Sequence, residues 1–367
     1  MNVMIAGGGT GGHIFPALAI GQAIQTQNTN ASIYFVGTRY GLEKDLVPKQ
    51  GYPLLTLPIR GFLGKGLKGK LDLLWRLPAS LLGSLWLLMR HRPKIVIGVG
   101  GYASAPLLWV AAFLRIPTMI QEQNAIPGMV NRLSARVVRI ACCGFGEAAQ
   151  HLRCPAITTG NPVRKDFATT ARWNPQRKTI LILGGSQGAR ALNEKMPQLL
   201  QQELDGSKGL KIVHQCGRND VDKVKKAYDG APFQVEVTPF IDNMSEFMED
   251  VLFSVCRAGA STIAELKYLG IPAILVPFPK AAHDHQTHNA RSLAEAGAAQ
   301  LVPETELDDA GSILAAMINQ PETLKTMAAA MPQQTYESAQ RCAEIALALR
   351  DRKKVSEIIT YYESHVS

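Results

Sequence analysis

Apolar residues recur along the chain in short runs, separated by glycine turns and by longer stretches with helical spacing. The first run, Asn2–Ala6, leads into Gly7–Gly12 and then into a helical pattern over Phe15–Gln27. Further runs fall at Ser32–Val36, Lys94–Val99 and Thr118–Gln121. Runs of this length read as buried strands, and their alternation with helical stretches predicts parallel sheets with crossover helices. The alternation stalls in a polar stretch from Asn161-Pro162 to Pro175, which marks a hinge. It restarts with Thr179–Leu183, a second glycine turn at Gly184–Gly188 and a helix from Ala189. Strands at Lys211–Gln215, Gln234–Thr238, Leu252–Cys256 and Ala273–Val276 follow, and the remaining helical tail ends in an amphipathic stretch, Tyr336–Ser364. The pattern predicts an α/β chain with two Rossmann-like domains facing a cleft, residues 1–162 and 163–339, each opened by a glycine-rich turn.

The 367 residues are 46% apolar and 19% charged, which excludes a disordered tail or a fibre. The 39 basic and 30 acidic side chains leave a net charge of +9, and the excess is concentrated. Between Arg60 and Lys94, eight basic residues stand against one acid, Asp72, so seven of the nine net charges lie in this window. Nucleic-acid binders spread basic stripes over a surface; this concentration predicts one local anionic partner and no nucleic acid. Inside the window, Leu77–Met89 is an uncharged, mostly apolar run of 13 residues. A bilayer span needs about 20. Lys65, Lys68, Lys70, Leu71, Leu74, Trp75, Leu81 and Trp86 are therefore expected to form an interfacial segment on an anionic membrane surface. A crossover helix buried against the first sheet is the other reading of the same run. Met1–Gly7 lacks the basic and apolar regions of a secretory signal. The six cysteines (142, 143, 154, 216, 256, 342) show no Cys-x-x-Cys or zinc spacing, so free thiols in a reducing cytoplasm are expected.

Gly7-Gly8-Gly9-Thr10-Gly11-Gly12 has the spacing G-x-G-x-x-G, in which glycines bring backbone N–H groups close to an anion at a helix N-terminus. The second strand ends in Val36-Gly37-Thr38-Arg39, without the acid that a dinucleotide ribose requires. Arg39 would suit a 2′-phosphate, which leaves an NADP-dependent oxidoreductase as one alternative. Glycines at Gly98–Gly101 and Gly184–Gly188 follow strands in both halves, where α/β sheets bind ligands, so a phosphate-bearing ligand is the leading reading. His13 follows the first turn directly; there the helix N-terminus disfavours imidazolium and keeps a neutral base available. Cys256–Glu265 reads as strand, small-residue turn and helix, with Gly259 to Thr262 offered to an anion. Glu265 either accepts two ribose hydroxyls or closes a Thr262-x-x-Glu265 capping box. His283, His285 and His288 have a spacing that fits no metal motif, so Asp284, His285 and Gln286 are read as facing a hydroxyl-rich ligand, with no bound metal.

The motifs Gly8-Gly9-Thr10-Gly11-Gly12-His13, Gly100-Gly101-Tyr102, Glu122-Gln123-Asn124, Gly160-Asn161-Pro162-Val163-Arg164, Gly184-Gly185-Ser186-Gln187-Gly188, Arg257-Ala258-Gly259-Ala260 and Asp284-His285-Gln286 occur in one order over most of the chain. In that order the chain resembles the MurG family, bacterial peptidoglycan N-acetylglucosaminyltransferases that convert lipid I to lipid II. The resemblance implies a GT-B fold whose C-terminal helix, about 340–367, returns to an N-terminal acceptor and membrane-associating domain, with the UDP-sugar bound by the C-terminal domain. It implies UDP-N-acetylglucosamine as donor, undecaprenyl-diphosphate-linked N-acetylmuramoyl pentapeptide as acceptor, no cofactor, and peripheral attachment to the cytoplasmic face of the plasma membrane. Donor contacts would fall on Thr10, Gly11, Gly12, Asn124, Arg164, Ser186, Ile241, Ala260, Ser261, Thr262, Ile263, Ala264, Glu265 and Gln286. Among these, Glu265 would hold the ribose, Ile241 the uracil and Gln286 the sugar, with His13 as the base. Another lipid-directed UDP-sugar glycosyltransferase is the alternative within this class.

Overall fold

The computed structural model describes residues 1–61, 66–185, 187–241, 243–332 and 337–365, with backbone alone at 66–71 and 365. The chain divides into two compact units, Met1–Lys165 with Thr335–Ser367, and Asp166–Gln334.

The first unit is built on seven parallel strands: β1 (Asn2–Ala6), β2 (Ser32–Gly37), β3 (Leu54–Thr56), β4 (Ile95–Gly98), β5 (Thr118–Glu122), β6 (Ile140–Cys143) and β7 (Ala156–Thr158). Their order is β3-β2-β1-β4-β5-β6-β7. Alternate residues of β1 face opposite layers, as the two-residue period of a strand requires. Val3 and Ile5 pack with the helix Gly11–Gln27 and with Cys342, Ile345 and Ala346 of the helix Glu337–Arg350. Met4 and Ala6 pack with Leu87, Leu88, Leu107 and Leu108 on the other side. The strand order reverses between β1 and β4, so the glycine turns that follow them meet at the sheet's switch point, the usual ligand position in such sheets.

The second unit has six parallel strands, β8 (Thr179–Leu183), β9 (Lys211–Gln215), β10 (Gln234–Thr238), β11 (Val251–Cys256), β12 (Ala273–Leu275) and β13 (Ala299–Leu301), in the order β10-β9-β8-β11-β12-β13. All six residues of β11 are buried, so its sequence is apolar except for Ser254, whose hydroxyl donates to the Leu181 carbonyl (3.0 Å).

The structure departs from the apolar pattern in two places. Strands β3, β6, β7 and β13 have only three or four residues each and give no run long enough to read. The amphipathic tail is two helices, Glu337–Arg350 and Val355–His365, rather than one. Arg352 adopts a left-handed conformation (φ 59°), and the N–H groups of Arg352 and Lys353 close on the carbonyls of Leu349 and Ala348, a Schellman stop. The basic, apolar window is one helix, Gly66–His91, with Pro78 inside it. Among the described residues no helix is long and apolar enough to cross a membrane.

Candidate active site

In the first unit the Gly7–Gly12 turn is already answered by an anion of the protein itself. The Glu43 carboxylate is fully buried and accepts hydrogen bonds from the Gly9 N–H (2.8 Å), the Thr38 N–H (2.9 Å) and the Thr38 hydroxyl (2.8 Å). It fits only because its neighbours lack side chains: a Cβ on Gly8 would lie 2.4 Å, and one on Gly41 2.0 Å, from its oxygens. The position that a dinucleotide phosphate would take at Gly9 is thereby filled, which removes the structural basis of the NADP reading. Glu43 was not visible in the sequence as part of the site; the signal available was an acid set among Gly37, Gly41 and the N-terminal glycines.

His13 is the third residue of the helix Gly11–Gln27 and is half-buried. Its Nδ1 lies 2.9 Å from Gln123 Oε1, and Nε2 has no hydrogen-bonding partner among the described residues. The ring packs against Gly100 (φ 93°), where a Cβ would sit 2.8 Å from His13 Cε1. Thr10 and Gly12 are exposed and Gly11 is half-buried beside them. Asn124 is tied through its backbone N–H (2.9 Å) and Nδ2 (3.2 Å) to the buried Glu122 carboxylate. Arg164 stacks over the Phe15 ring at 4.7 Å, two residues along the helix from His13.

In the second unit, the helix Ala260–Leu269 begins with Gly259 at its N-cap and has no acidic residue in its first turn. Thr262 therefore sits inside the helix and cannot cap it, so the Thr262–Glu265 capping box does not form. The Ser261 hydroxyl is buried and finds no partner among the described residues. Ile263 and Ala264 turn into the core, Ala260 and Glu265 are buried, and Ile241 is 3% exposed. Gln286 accepts a hydrogen bond from the Phe278 N–H through Oε1 (2.9 Å), which leaves its NH2 group as the donor it can offer. The preceding turn carries two consecutive left-handed residues, His283 (φ 53°) and Asp284 (φ 52°). Arg257 steadies the same loop by donating to the Val276 and Pro277 carbonyls (3.2 and 3.1 Å) and pairing with Glu304. Among the described residues no three His, Cys, Asp or Glu side chains gather as metal ligands would. Ser186 lies outside the described residues.

The helix Gly66–His91 resolves the two readings of its sequence by face. Ser80, Ser84, Leu87 and Leu88 are buried. Leu74, Pro78, Leu82, Trp86 and Met89 form one exposed stripe at helical spacing, with Leu82 69% and Trp86 62% exposed. Leu74, Trp75 and Trp86 of the expected patch are thus exposed, whereas Leu81 is half-buried between the two faces. Composition alone does not separate Leu82 and Met89 from the buried face; the helical angle does, and it adds both to the expected patch. Asp72 and Arg76 pair with each other at 2.6 Å, so the seven remaining basic residues of the window carry its whole net charge. Lys65 lies outside the described residues, and the side chains of Lys68, Lys70 and Leu71 do too.

Models of the glycosyltransferase family 28 N-terminal and C-terminal domains match residues 3–142 and 179–344. With two all-parallel α/β units, these matches make the protein a glycosyltransferase of the GT-B class. The UDP-N-acetylglucosamine–N-acetylmuramyl-(pentapeptide) pyrophosphoryl-undecaprenol N-acetylglucosamine transferase of Myxococcus xanthus is 42% identical over 335 residues, 89% of this chain and 87% of that protein. The enzyme of the same name from an Anaeromyxobacter species is 42% identical over 361 residues, 94% of this chain and 93% of its own. The crystal structure of Acinetobacter baumannii MurG matches with a TM-score of 0.73 and 31% identity, covering 94% of this chain and 99% of that one. The chain belongs to the MurG family of peptidoglycan N-acetylglucosaminyltransferases.

Proposed function

We propose that this protein transfers N-acetylglucosamine from its UDP derivative to the 4-hydroxyl of N-acetylmuramoyl-(pentapeptide) diphospho-undecaprenol, with inversion, converting lipid I to lipid II. The observation that carries this reading is the 42% identity to transferases of that name across nine-tenths of the chain. The unpartnered Nε2 of His13 supports it, because a base must keep one ring nitrogen open to the attacking hydroxyl.

In the reaction the acceptor O4 forms its bond to the anomeric carbon as its proton passes to His13 Nε2. The bond from that carbon to the UDP oxygen breaks, and its electron pair leaves with the diphosphate. The N-terminus of the helix Ala260–Leu269, with the N–H groups and hydroxyls of Ser261 and Thr262, meets the developing negative charge. Glu265 holds the ribose hydroxyls, Ile241 borders the uracil through its backbone, and the NH2 group of Gln286 donates to the sugar. Thr10, Gly11, Gly12, Asn124, Arg164 and Ser186 complete the donor contacts, Arg164 with a fixed positive charge. These groups act without a metal, so exhaustive chelation should leave the rate unchanged, and strict loss restored by one divalent ion would refute this part of the reading.

The stripe Leu74–Met89 and the basic residues around it are read as the surface that rests on anionic lipid, at the cytoplasmic face of the plasma membrane where the acceptor is held. The deciding experiment is transfer of labelled N-acetylglucosamine from UDP to a short-chain lipid I analogue, in competition with diacylglycerol. Preference for diacylglycerol would make the protein a different lipid-directed transferase. Sedimentation with anionic vesicles tests the surface: Leu82→Ser with Trp86→Ser should weaken binding about tenfold or more while UDP affinity is unchanged.

A further inference from the structure

We propose that Gln123, itself oriented by Gln121 and Asn161, is a positioning residue that fixes the tautomer of His13; this rests on reading His13 as the base. Gln123 enters the site above only as the neighbour of His13 Nδ1, and Gln121 and Asn161 not at all, yet all three amides are buried, with 2% exposure or less.

Each amide leaves the next only one orientation. Asn161 Nδ2 donates to the Gln123 backbone carbonyl (2.8 Å), so its Oδ1 is turned to accept from Gln121 Nε2 (3.1 Å). Gln121 Oε1 then faces Gln123 Nε2 and accepts from it. The same Nε2 also reaches the carbonyls of Val99 (2.9 Å) and Gln121 (3.1 Å). Three oxygens around one end of the Gln123 amide admit only its NH2 group, because the reversed amide would press oxygen against oxygen. Oε1 is therefore the atom presented to His13, and an oxygen without a hydrogen can only accept. Nδ1 of His13 must carry the proton, which leaves Nε2 with its lone pair. The proton position of the base is thus set by a hydrogen-bond chain that starts at Asn161, on the segment after β7, and passes through the end of β5.

The chain also holds after proton transfer. When Nε2 takes the acceptor proton, Nδ1–H remains on Gln123 Oε1, so the imidazolium forms without any side chain turning.

The first test needs no turnover. In protein labelled with ¹⁵N-histidine, with the His13 signals identified by their loss in His13→Asn, the wild type should show protonated Nδ1 and bare Nε2 at neutral pH. The opposite tautomer overturns the proposal outright, whatever the variants do. In Gln123→Met, which keeps the volume and removes the acceptor, the His13 signals should shift to a mixture of tautomers. kcat should fall about ten- to a hundredfold, with the KM for UDP-N-acetylglucosamine within about twofold of wild type. Gln123→Glu should recover the Nδ1–H signal and about tenfold in kcat, because its carboxyl, protonated among the three oxygens, repeats the donor and acceptor of the amide. A Met variant with unchanged tautomer and kcat would also overturn the proposal. If wild-type protein transfers no sugar to the lipid I analogue, the functional reading fails, while the tautomer spectrum still decides the role of Gln123.

Discussion

His13 in the first unit and His214 in the second are held by the same device, an amide whose other bonds dictate which atom it shows the ring. At His214, Asn193 Nδ2 donates to the Cys216 carbonyl (2.9 Å) and to Asp220 (2.8 Å), so Asn193 Oδ1 accepts from Nε2 (3.1 Å). Nδ1 of the same ring takes the Tyr228 hydroxyl at 3.0 Å, and the side chain has no exposure at all. Both nitrogens are used, and burial pushes its pKa down to about 3. His13 has one nitrogen used and one free, in a half-buried position beside exposed glycines. A histidine with two internal partners is a part of the core, whereas one with a single partner and an open second nitrogen is equipped to move a proton.

The contrast breaks most visibly if the two residues are exchanged in their effects. His13→Ala should lower kcat by about 10²–10⁴-fold while thermal stability and UDP binding are retained. His214→Ala should do the reverse, costing about 2–4 kcal/mol in urea unfolding through the cavity and the orphaned Tyr228 and Asn193 groups. Transfer per folded molecule should be unchanged. Retained turnover in the first variant would remove His13 from the mechanism.

Acid should separate the two next. The unfolded chain protonates His214 near its ordinary pKa of about 6.5, but the folded protein resists until about 3. Between those values the unfolded state binds the extra proton, so stability is complete above about pH 6.5 and drains away as pH falls. The loss amounts to at most about 4–5 kcal/mol. Urea midpoints measured from pH 7.5 to 4 should decline in wild type and decline less in His214→Gln. Parallel curves would show that His214 is not the group responsible.

These two histidines also mark how far the sequence could be read. His13 is legible because it follows a glycine turn at a strand end, and the two sheets are legible because strands such as β8 and β11 are apolar but for one hydroxyl residue each, Thr179 and Ser254. His214 carries no such signal: it lies inside β9, where a polar residue in a short run gives no hint of what surrounds it. Glu122-Gln123-Asn124 and Gly160-Asn161-Pro162-Val163-Arg164 stand in the sequence as two separate motifs, but the role of Gln123 and Asn161 rests on contacts between segments some 40 residues apart. Glu43 was invisible for the same reason. It reaches Gly9 across 34 residues, and its burial depends on glycines from two segments, Gly8 in the first turn and Gly37 and Gly41 at the end of β2 and just after it.

A smaller effect sharpens the geometric side of the contrast. Gly100 is left-handed, and its missing side chain is the space that the His13 ring occupies. Gly100→Ala should cost about 1–3 kcal/mol of stability from backbone strain and push the imidazole off Gln123. The expected signature is a drop in kcat larger than that loss of stability can explain, with donor binding intact. If kcat is preserved, the ring does not need the position it takes here.

The smallest expected effect isolates what holds His214 neutral. Tyr228→Phe removes the hydroxyl from Nδ1 and leaves a buried acceptor unpaired, which should cost about 1–2 kcal/mol. The depressed pKa has a different origin, the withdrawal of the ring from water, and the phenyl ring leaves that burial in place. Urea stability of Tyr228→Phe should therefore run below wild type by a constant amount across pH 7.5 to 4, with the same acid slope. A slope that flattens in the variant would mean that the tyrosine, rather than the dry surroundings, keeps the proton off. His214 would then resemble His13 in depending on one partner for its state, and the line drawn between the two histidines would have to be moved.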